Sequence, residues 1–331
     1  MRIVVDAFGG DNAPIEVIKG AERAVRELDV DIVLVGDKEK IRHIAREQGI
    51  PLEGFHVIHT DSVFDIHEEP TKILKEYKDC SMAMGLRALA EGKGDAFVSA
   101  GSTGALTVGG TFIAKRLKGI KRPALAPLLP SDKGSFMLLD AGANTECRPE
   151  MVVTFALMGA AYMEAVGGIF TPKVGLLNIG TEETKGRPVD VETYKLLQSA
   201  PIEFYGNVEA RELPLGECDV VVCDGFTGNI ALKLYEGMGK YFGNTLKGML
   251  KGFPGTLAGA LILKKIKAFR KKMDYKEVGG AVLLGVSKPV IKAHGSSDET
   301  AFYNAIRQAK LCVDGDIIGK ITEKLTSDGN N

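Results

Sequence analysis

The chain contains one short motif twice, and this repetition constrains its fold more than any other feature. Asp95-Ala-Phe-Val-Ser-Ala-Gly-Ser-Thr-Gly-Ala-Leu106 aligns almost residue for residue with Asp219-Val-Val-Val-Cys-Asp-Gly-Phe-Thr-Gly-Asn-Ile230. Each copy is an apolar run followed by Gly-x-Thr-Gly and a helix-like stretch, which is typical of a buried parallel strand turning sharply into a helix. Such a turn leaves backbone N–H groups free at the start of the helix, where an anion can bind.

The two copies differ in their polar side chains. The first has Ala100 and Ala105 where the second has Asp224 and Asn229. We therefore interpret the first copy as scaffold or a phosphate cradle, and the second as the copy with reactive polar groups.

The composition is that of a globular protein. The 331 residues are 45% hydrophobic with a formal net charge of −1, which suits one large domain or two lobes and argues against a nucleic-acid partner. The five cysteines form no C-x-x-C pair, so we expect a reduced, cytoplasmic compartment. The start, Met1–Asp6, indicates a strand rather than a signal peptide, and no apolar run reaches the roughly 18 residues of a membrane-spanning helix.

Apolar runs alternate with amphipathic stretches along most of the chain, which predicts an α/β fold with a largely parallel sheet. No low-complexity linker divides the chain, so we expect a single α/β catalytic domain over residues 1–331, with two lobes around a cleft as an alternative. The predicted strands are Ile3–Val5, Ile32–Val35, Phe55–Ile58, Ala96–Ser99, Phe136–Leu139, Val174–Leu177, Ile202–Tyr205 and Val220–Cys223. The predicted helices are Ile15–Leu28, Met82–Ala90, Met151–Val166 and a tail over Ser297–Thr326.

Five strand ends lead into small or polar loops. In a parallel sheet such loops gather at one edge, where open α/β folds bind ligands. We therefore expect a small-molecule or phosphate site at that edge. The loops are Asp6–Asp11, Ala100–Gly104, Asp140–Thr145, Asn178–Lys185 and Asp224–Asn229.

Several standard motifs are missing. No G-x-G-x-x-G follows a strand, and no G-x-x-x-x-G-K-[ST] occurs, so neither a dinucleotide fingerprint nor a P-loop is present. No H-E-x-x-H or Cys/His set has zinc spacing, so we predict no metal and no cofactor.

Ala100-Gly-Ser-Thr-Gly104 resembles a nucleophile elbow whose first glycine is alanine. A hydrolase triad of Ser102, Asp224 and His294 would follow the usual chain order. The second copy of the motif has Phe226 at the position of Ser102, so we favour a turn or anion-binding hydroxyl for this serine.

Six segments together resemble the bacterial phosphate acyltransferases, the acyl-ACP:phosphate transacylases of the PlsX family. They occur in the family's order from the first strand to about residue 312. Phe8 replaces an expected Met and Ala293 an expected Gly, and neither change removes a polar group. The segments are Val5–Pro14, Ser99–Ala105, Leu139–Asn144, Asn178–Gly186, Asp224–Asn229 and His294–Asp298.

The resemblance implies a reaction and a fold. Inorganic phosphate attacks the thioester of a long-chain acyl carrier protein, and the acyl phosphate feeds a downstream glycerol-phosphate acyltransferase in phospholipid synthesis. The family's fold resembles that of isocitrate and isopropylmalate dehydrogenases, a Rossmann-like αβα sandwich with a mostly parallel sheet, and that of phosphotransacetylase. Its members are homodimers that need no nicotinamide cofactor.

Phosphate is itself the nucleophile, so such an enzyme must hold an anion against a carbonyl carbon and stabilise the oxyanion that forms. Lys185 can supply positive charge, and Asn229 can donate to the thioester oxygen, roles to which the resemblance also points. An exposed lysine and a helix cap are the simpler alternatives. Asp224 would orient Lys185 or a backbone amide, and His294 would assist proton transfer or be structural.

The remaining site residues are expected to bind phosphate or to shape the cleft. A nucleophilic Cys147 beside Arg148 is conceivable, but a structural cysteine is favoured. The phosphate-binding candidates are Ser102, Thr103, Gly104, Gly180, Thr227 and Gly228. The cleft candidates are Asp6, Asn144 and Asn178.

Residues 252–272 combine an apolar run, Leu257–Leu263, with six basic residues among the nine from Lys264 to Lys272. A helical arm of this kind can rest on an anionic membrane surface or dock the acidic acyl carrier protein. The alternative is a core or dimer helix with a solvated charged end. The candidate contact residues are Leu257, Leu261, Ile262, Lys264, Lys265, Arg270, Lys271 and Lys272. This arm predicts a cytoplasmic enzyme peripherally associated with the inner face of the cell membrane.

Three other functions remain open at this point. A phosphotransacetylase-like enzyme would use acyl-CoA, a serine hydrolase would use Ser102 without phosphate, and a non-catalytic carrier-binding or membrane-associated regulator would not need Lys185 or Asn229.

The membrane hypothesis for the arm can be tested directly. Substituting both Leu261→Glu and Ile262→Glu places charge in the apolar run, so we expect the variant to be released from anionic vesicles without loss of folding. Vesicle flotation, with circular dichroism as the control for folding, measures this. Unchanged vesicle binding would contradict the hypothesis.

Overall fold

A computed structural model of the chain describes residues 1–249 and 279–328. The arm at 252–272 lies outside the described residues. Within them, eleven strands form one sheet in the order β3-β2-β1-β4-β11-β10-β5-β6-β9-β7-β8. The strands are β1 Arg2–Asp6, β2 Asp31–Gly36, β3 Phe55–His59, β4 Ala96–Ser99, β5 Ala124–Ser131, β6 Gly134–Leu139, β7 Lys173–Asn178, β8 Glu203–Glu209, β9 Val220–Val222, β10 Ala281–Leu284 and β11 Val290–Lys292.

Helices cover both faces of the sheet, which gives the three-layer α/β arrangement expected from the alternating pattern. In the described residues they are α1 Ile15–Leu28, α2 Lys38–Gln48, α3 Ser81–Ala90, α4 Thr103–Gly109, α5 Pro149–Ala165, α6 Pro188–Ser199, α7 Gly225–Met249, α8 Glu299–Asp314 and α9 Ile317–Asp328. Short 3₁₀ helices occupy Pro70–Leu74 and Ala210–Leu215, and a π-helical turn, Gly110–Lys115, extends α4.

The core follows from the alternation of side chains along the buried strands. In β1, Ile3 and Val5 pack into one apolar cluster with α1, α5 and α8, whereas Val4 packs into the opposite cluster with α3. All three side chains are fully buried. Strands covered on both faces must be apolar at successive positions, which explains the continuous runs in the sequence.

The predicted α/β class is confirmed, and so is each of the eight predicted strands, although β8 runs on to Glu209. The predicted tail helix is divided in two near Asp316, whose φ of 47° is left-handed. Three strands were missed. β5 contains Pro127 and Pro130, residues that normally argue against a strand, and β10 and β11 are only four and three residues long.

The expectation that all five polar loops gather at one edge of the sheet is wrong. β10 is antiparallel to both β11 and β5, and β5 is antiparallel to β6. β1, β4 and β11 therefore run in one direction, while β6, β7, β8 and β9 run in the other. The physical cause is the tight hairpin Ser131–Gly134, which turns β5 straight into β6. The loops consequently form two groups.

No helix within 1–249 or 279–328 is both long enough and apolar enough to cross a membrane.

Two glycines of α7 allow a matched test of how this helix packs. A Cβ on Gly228 would overlap the carbonyl oxygen of Asp140, whereas a Cβ on Gly237 would meet open space. We expect Gly228→Ala to lower the free energy of unfolding by about 1–3 kcal/mol through overpacking. In the same helix, Gly237→Ala should raise it by about 0.5–1 kcal/mol. Urea denaturation measures both, and equal shifts would contradict the close packing at Gly228.

Candidate functional site

The loops that follow β1, β4 and β11 meet in the first group, which we call the Lys292 cluster. They pack backbone against backbone: the Asp11 N–H donates to the Gly295 carbonyl at 2.8 Å. A Cβ on Gly9 would lie 2.5 Å from Asp6 Oδ2, and one on Gly10 would lie 3.0 Å from the Gly295 oxygen. Glycine is therefore required at both positions, because no side chain fits between these loops.

Asp6 holds the Lys292 cluster together from inside. It is 1% exposed, and its Oδ2 accepts a hydrogen bond from Ser99 Oγ at 2.7 Å, which ties β1 to β4. Its Oδ1 accepts from the Phe8 N–H at 3.3 Å. Burial raises the pKa of this carboxyl in spite of these donors. The predicted cleft residue Asp6 thus serves as a structural tie at the edge of the site.

A cavity of about 500 Å³ opens beside these loops. Its walls are of two kinds. The polar lining includes Asp6, Asp11, Asp65, Ser102, Thr103 and Lys292. The apolar lining includes Val63, Phe64, Ile66 and Met82. A cavity with a polar floor and an apolar wall is suited to an amphiphilic ligand.

Lys292 is the functional candidate that the sequence motifs missed. It ends β11, is 9% exposed, and donates from Nζ to the carbonyl oxygens of Ala100, at 3.3 Å, and of Ala293. Burial lowers its pKa to about 8, assisted by Lys233 and opposed by Asp11 and Asp6. The signal in the sequence is a lysine inside the apolar run Val290–Ala293, a place where a charge is rarely buried without a function.

His294 lies next to this lysine. Its Nδ1 is 2.9 Å from Ser296 Oγ and also accepts from the Ser296 N–H at 3.2 Å. Burial lowers its pKa, and Glu236 and Lys233 of α7 act on it electrostatically. Asp298 caps the N-terminus of α8: its Oδ1 accepts a hydrogen bond from the Ala301 N–H at 3.1 Å.

The loops that follow β6, β7 and β9 form the second group, which we call the Arg187 cluster. At its base, Asp140 accepts hydrogen bonds from the N–H groups of Leu125, at 2.9 Å, and Ala143, at 3.0 Å. The Asn144 side chain donates to the same carboxylate at 2.9 Å and to the Pro123 carbonyl at 2.8 Å. Asn144, predicted to shape the cleft, therefore fixes the loop that receives the start of α7.

Asp224 is paired with Arg187. From the sequence, Lys185 or a backbone amide is the expected partner of this carboxylate. The guanidinium of Arg187 also binds Asp190, at 2.8 Å, and the Thr227 N–H donates to Asp224 Oδ1 at 2.7 Å. Burial would raise the pKa of Asp224, but the Thr227 and Arg187 donors outweigh it and hold that pKa below its usual value. The predicted contact with a backbone amide is confirmed.

Lys185 lies at the surface of the Arg187 cluster. Its side chain is 48% exposed, and Nζ is 3.8 Å from Glu182 Oε1. Asn178 shapes the loop by donating to the Lys185 carbonyl at 3.0 Å and to Asn207 Oδ1 at 3.0 Å. Gly180 lies against the Lys185 stem, where a Cβ would be 3.0 Å from Cγ.

Helix α7 connects the two clusters. It begins in the Arg187 cluster, where the Asn229 side chain lies against Gly142, and continues past β5, where the Tyr235 hydroxyl donates to the Pro130 carbonyl. One turn after Asn229, Lys233 acts electrostatically on both Lys292 and His294. With about 1.5 Å of rise per residue, Asn229 and Lys233 are about 6 Å apart along the helix, so residues of both groups lie near the first turns of α7.

The hydrolase alternative finds little support in this geometry. Ser102 Oγ accepts from the Ala105 N–H at 3.4 Å and caps α4, while Asp224 is bound to Arg187 in the other cluster. Cys147 is no better a nucleophile, because burial raises its pKa to about 12 and so disfavours the thiolate. Among residues 1–249 and 279–328, no group of three His, Cys, Asp or Glu side chains is arranged to hold a metal ion.

Comparison with known proteins decides the family. A family described as "Fatty acid synthesis protein" matches residues 1–320. The phosphate acyltransferase of Caldicellulosiruptor bescii is 47% identical over 331 residues, which cover 99% of each chain. That of Oceanobacillus iheyensis is 46% identical over 332 residues, covering 99% of this chain and 98% of the relative. The chain belongs to the phosphate acyltransferase family. The family resemblance inferred from the sequence is therefore confirmed.

Solved structures share the fold at much lower sequence identity. A phosphotransacetylase from Streptococcus pyogenes has a TM-score of 0.67 and 17% identity, covering 96% of this chain and 94% of that one. A protein described as a putative 4-hydroxythreonine-4-phosphate dehydrogenase from Salmonella typhimurium has a TM-score of 0.52 and 14% identity, covering 94% and 98%. These likenesses extend over nearly the whole phosphate acyltransferase chain and place its fold with both enzyme types.

The pair Arg187–Asp224 allows a test of the Arg187 cluster. Asp224 is nearly buried and Arg187 is 58% exposed, so we expect a double-mutant cycle of Arg187→Met and Asp224→Asn to give a coupling of about 1 kcal/mol in unfolding free energy at pH 7. The depressed pKa of Asp224 means that this stability is present above its unfolded pKa and is lost as pH falls through the folded pKa.

The exposed ion pair Lys133–Glu217, 2.6 Å long with side chains 59% and 43% exposed, is the matched control. Solvent screening should leave its coupling weaker than that of Arg187–Asp224 in the same urea-denaturation cycle. A coupling at Arg187–Asp224 no larger than the control would contradict its role in holding the cluster.

Proposed function

We propose that this acyltransferase moves a long-chain fatty acyl group from the thioester of acyl carrier protein to inorganic phosphate, giving acyl phosphate for phospholipid synthesis. The observation that supports this most is the cavity of the Lys292 cluster, which joins hydroxyls and a buried amine to an apolar wall. Phosphate needs donors and positive charge, whereas the acyl end of the thioester needs apolar surface.

The reaction requires the protein to stabilise two negative charges, that of phosphate and the one that develops on the carbonyl oxygen. Phosphate oxygen attacks the thioester carbonyl, and negative charge develops on the carbonyl oxygen before the sulfur leaves. We propose Lys185 for stabilising phosphate or this oxyanion, and Asn229 as a donor to the carbonyl oxygen. Asp224 supports them by fixing Arg187 and the start of α7.

Phosphate is proposed to rest on the turns of the doubled motif. Ser102 and Thr103 line the cavity, and Gly104 follows them at the start of α4. Thr227 and Gly228 occupy the equivalent turn at the start of α7. Because α7 passes both clusters, the substrate is proposed to react between them, in the cleft of a two-lobed α/β domain of isocitrate and isopropylmalate dehydrogenase type. His294 is proposed to assist proton transfer there.

Partners and location follow as further proposals. Helix α7 exposes Ile230 (54%), Leu234 (63%) and Tyr241 (61%) along one side, and a homodimer would cover such a stripe. The arm at 252–272 is proposed to dock acyl carrier protein and to hold the enzyme on the cytoplasmic face of the membrane, where a glycerol-phosphate acyltransferase takes the product.

The reaction can be tested with palmitoyl-acyl carrier protein, with and without inorganic phosphate, by following release of the carrier thiol. We expect release only with phosphate. Equal release without phosphate would indicate a hydrolase, and activity confined to palmitoyl-coenzyme A would favour the phosphotransacetylase-like alternative.

The same assay tests the two proposed catalytic residues. Lys185→Met and Asn229→Ala should each lower kcat by about 100-fold, the usual loss when one donor to a developing oxyanion is removed. Lys195→Met, which changes an exposed lysine on α6, is the matched control and should leave kcat unchanged. Wild-type kcat in the Lys185→Met and Asn229→Ala variants would contradict these roles.

A further inference from the structure

The side-chain amine of Lys292 has an unusual pair of partners. Its Nζ donates to two backbone carbonyls, those of Ala100 and Ala293, and both Lys292 and Ala100 line the cavity. Within the described parts of the chain, no carboxylate forms an ion pair with it at 4.0 Å or less. A lysine buried for stability alone would be expected to have such a partner.

The number of hydrogen-bond acceptors around Nζ determines which protonation states of Lys292 the protein can accommodate. An ammonium has three N–H donors and a neutral amine has two. Two carbonyls accept from both N–H donors of the neutral amine, and they leave the third N–H of the ammonium available to the cavity that Lys292 lines. Lys292 can therefore lose that proton and regain it without giving up either hydrogen bond to the protein.

The proposed reaction needs such a proton. When the C–S bond of the thioester breaks, the sulfur leaves as an alkyl thiolate, and an alkyl thiol such as that of cysteine has a pKa of about 8.5. General acid catalysis is most effective when the donor's pKa is close to the operating pH. Burial brings the pKa of Lys292 to about 8, far nearer to that of the thiol than an exposed lysine would be.

Resting on the proposed function, we propose that Lys292 is a catalytic residue, the general acid that protonates the departing thiol, in the cavity where the thioester binds. A phosphate oxygen forms a bond to the carbonyl carbon, the C–S bond breaks, and the sulfur takes a proton from Nζ. The neutral amine then recovers a proton from solvent. In the reverse direction the same amine takes the proton from the thiol that attacks acyl phosphate.

The charged groups around Lys292 are compatible with this role. Asp6 and Asp11 approach it from the loop after β1, and Lys233 approaches from α7. His294 follows on the same segment, and Asp65 also lines the cavity. The carboxylates favour the protonated amine, while Lys233 and burial oppose it, so the amine gains and loses its proton near neutral pH.

The test compares two decanoyl thioesters with phosphate as acceptor. N-acetylcysteamine is an alkyl thiol that needs a proton to leave, whereas thiophenol leaves readily as an anion. We expect Lys292→Met to slow the alkyl thioester by about 100-fold, a typical general-acid contribution, and the phenyl thioester by less than about 10-fold. Equal losses on the two thioesters, or no loss, would overturn the proposal.

Lys288→Met is the matched control. Lys288 precedes the same strand and also donates to a backbone carbonyl, that of Gly94 at 2.9 Å, but it lies away from the cavity. This variant should keep both rates. Circular dichroism and urea denaturation of Lys292→Met show whether it folds.

The pH dependence of the wild-type enzyme tests the proposal without any variant. Because the general acid must be protonated, kcat/KM for palmitoyl-acyl carrier protein should fall as pH rises above about 8, the pKa of Lys292 in the free enzyme. With the phenyl thioester this alkaline decline should disappear. An identical decline with both donors would overturn the role of Lys292, whereas thiol release that never depends on phosphate would instead overturn the proposed function.

Discussion

The antiparallel pairing of β5 with β10 on one side and β6 on the other determines the layout of this protein. The residues Ala124–Pro127 of β5 pair with β10, and Leu128–Ser131 pair with β6. This short region reverses the direction of an otherwise parallel sheet, so polar loops emerge in two groups instead of one. Without the reversal, α7 would not need to pass from one group to the other, and the Lys292 and Arg187 clusters would share a single edge.

Each cluster is organised by a buried carboxylate directly after a strand. Asp6 accepts from Ser99 across β1 and β4, and Asp140 accepts from Leu125 and Asn144 across β5 and the loop after β6. Burial raises the pKa of both groups, which shows that desolvation outweighs their donors. From the sequence, Asp6 is predicted to shape the cleft, and Asp140 is only the first residue of a polar loop. In the structure both carboxylates hold loops in place, and Asp6 also lines the cavity.

The fold was largely predictable because strands buried on both faces produce apolar runs that a sequence displays openly. β5 could not be predicted because it contains two prolines, and β10 and β11 could not be predicted because they are very short. Without these three strands, the reversal of strand direction could not be predicted either. The doubled motif contains Ser102 and Thr103, which line the cavity, and Asp224, which directly precedes α7, while the roles of these residues stay predictions. Lys292 was not predicted as a site residue, because only the tertiary structure shows that its strand is central and that its amine faces a cavity. The partner of Asp224 could not be predicted either, since Arg187 and Lys185 are two residues apart on one loop.

The two halves of helix α7 differ in how closely they pack against the rest of the protein, and this difference determines where the helix can unfold locally. Its first half packs against Asp140 and Phe136, whereas Gly237, Gly239, Gly243 and Gly248 face open space. Each such glycine weakens a helix by about 1 kcal/mol relative to alanine. Amide hydrogens beyond Gly237 should therefore exchange with solvent through local fraying, while those around Lys233 stay protected until larger units unfold. The helix can thus loosen at its distal end without disturbing the residues that lie between the two clusters.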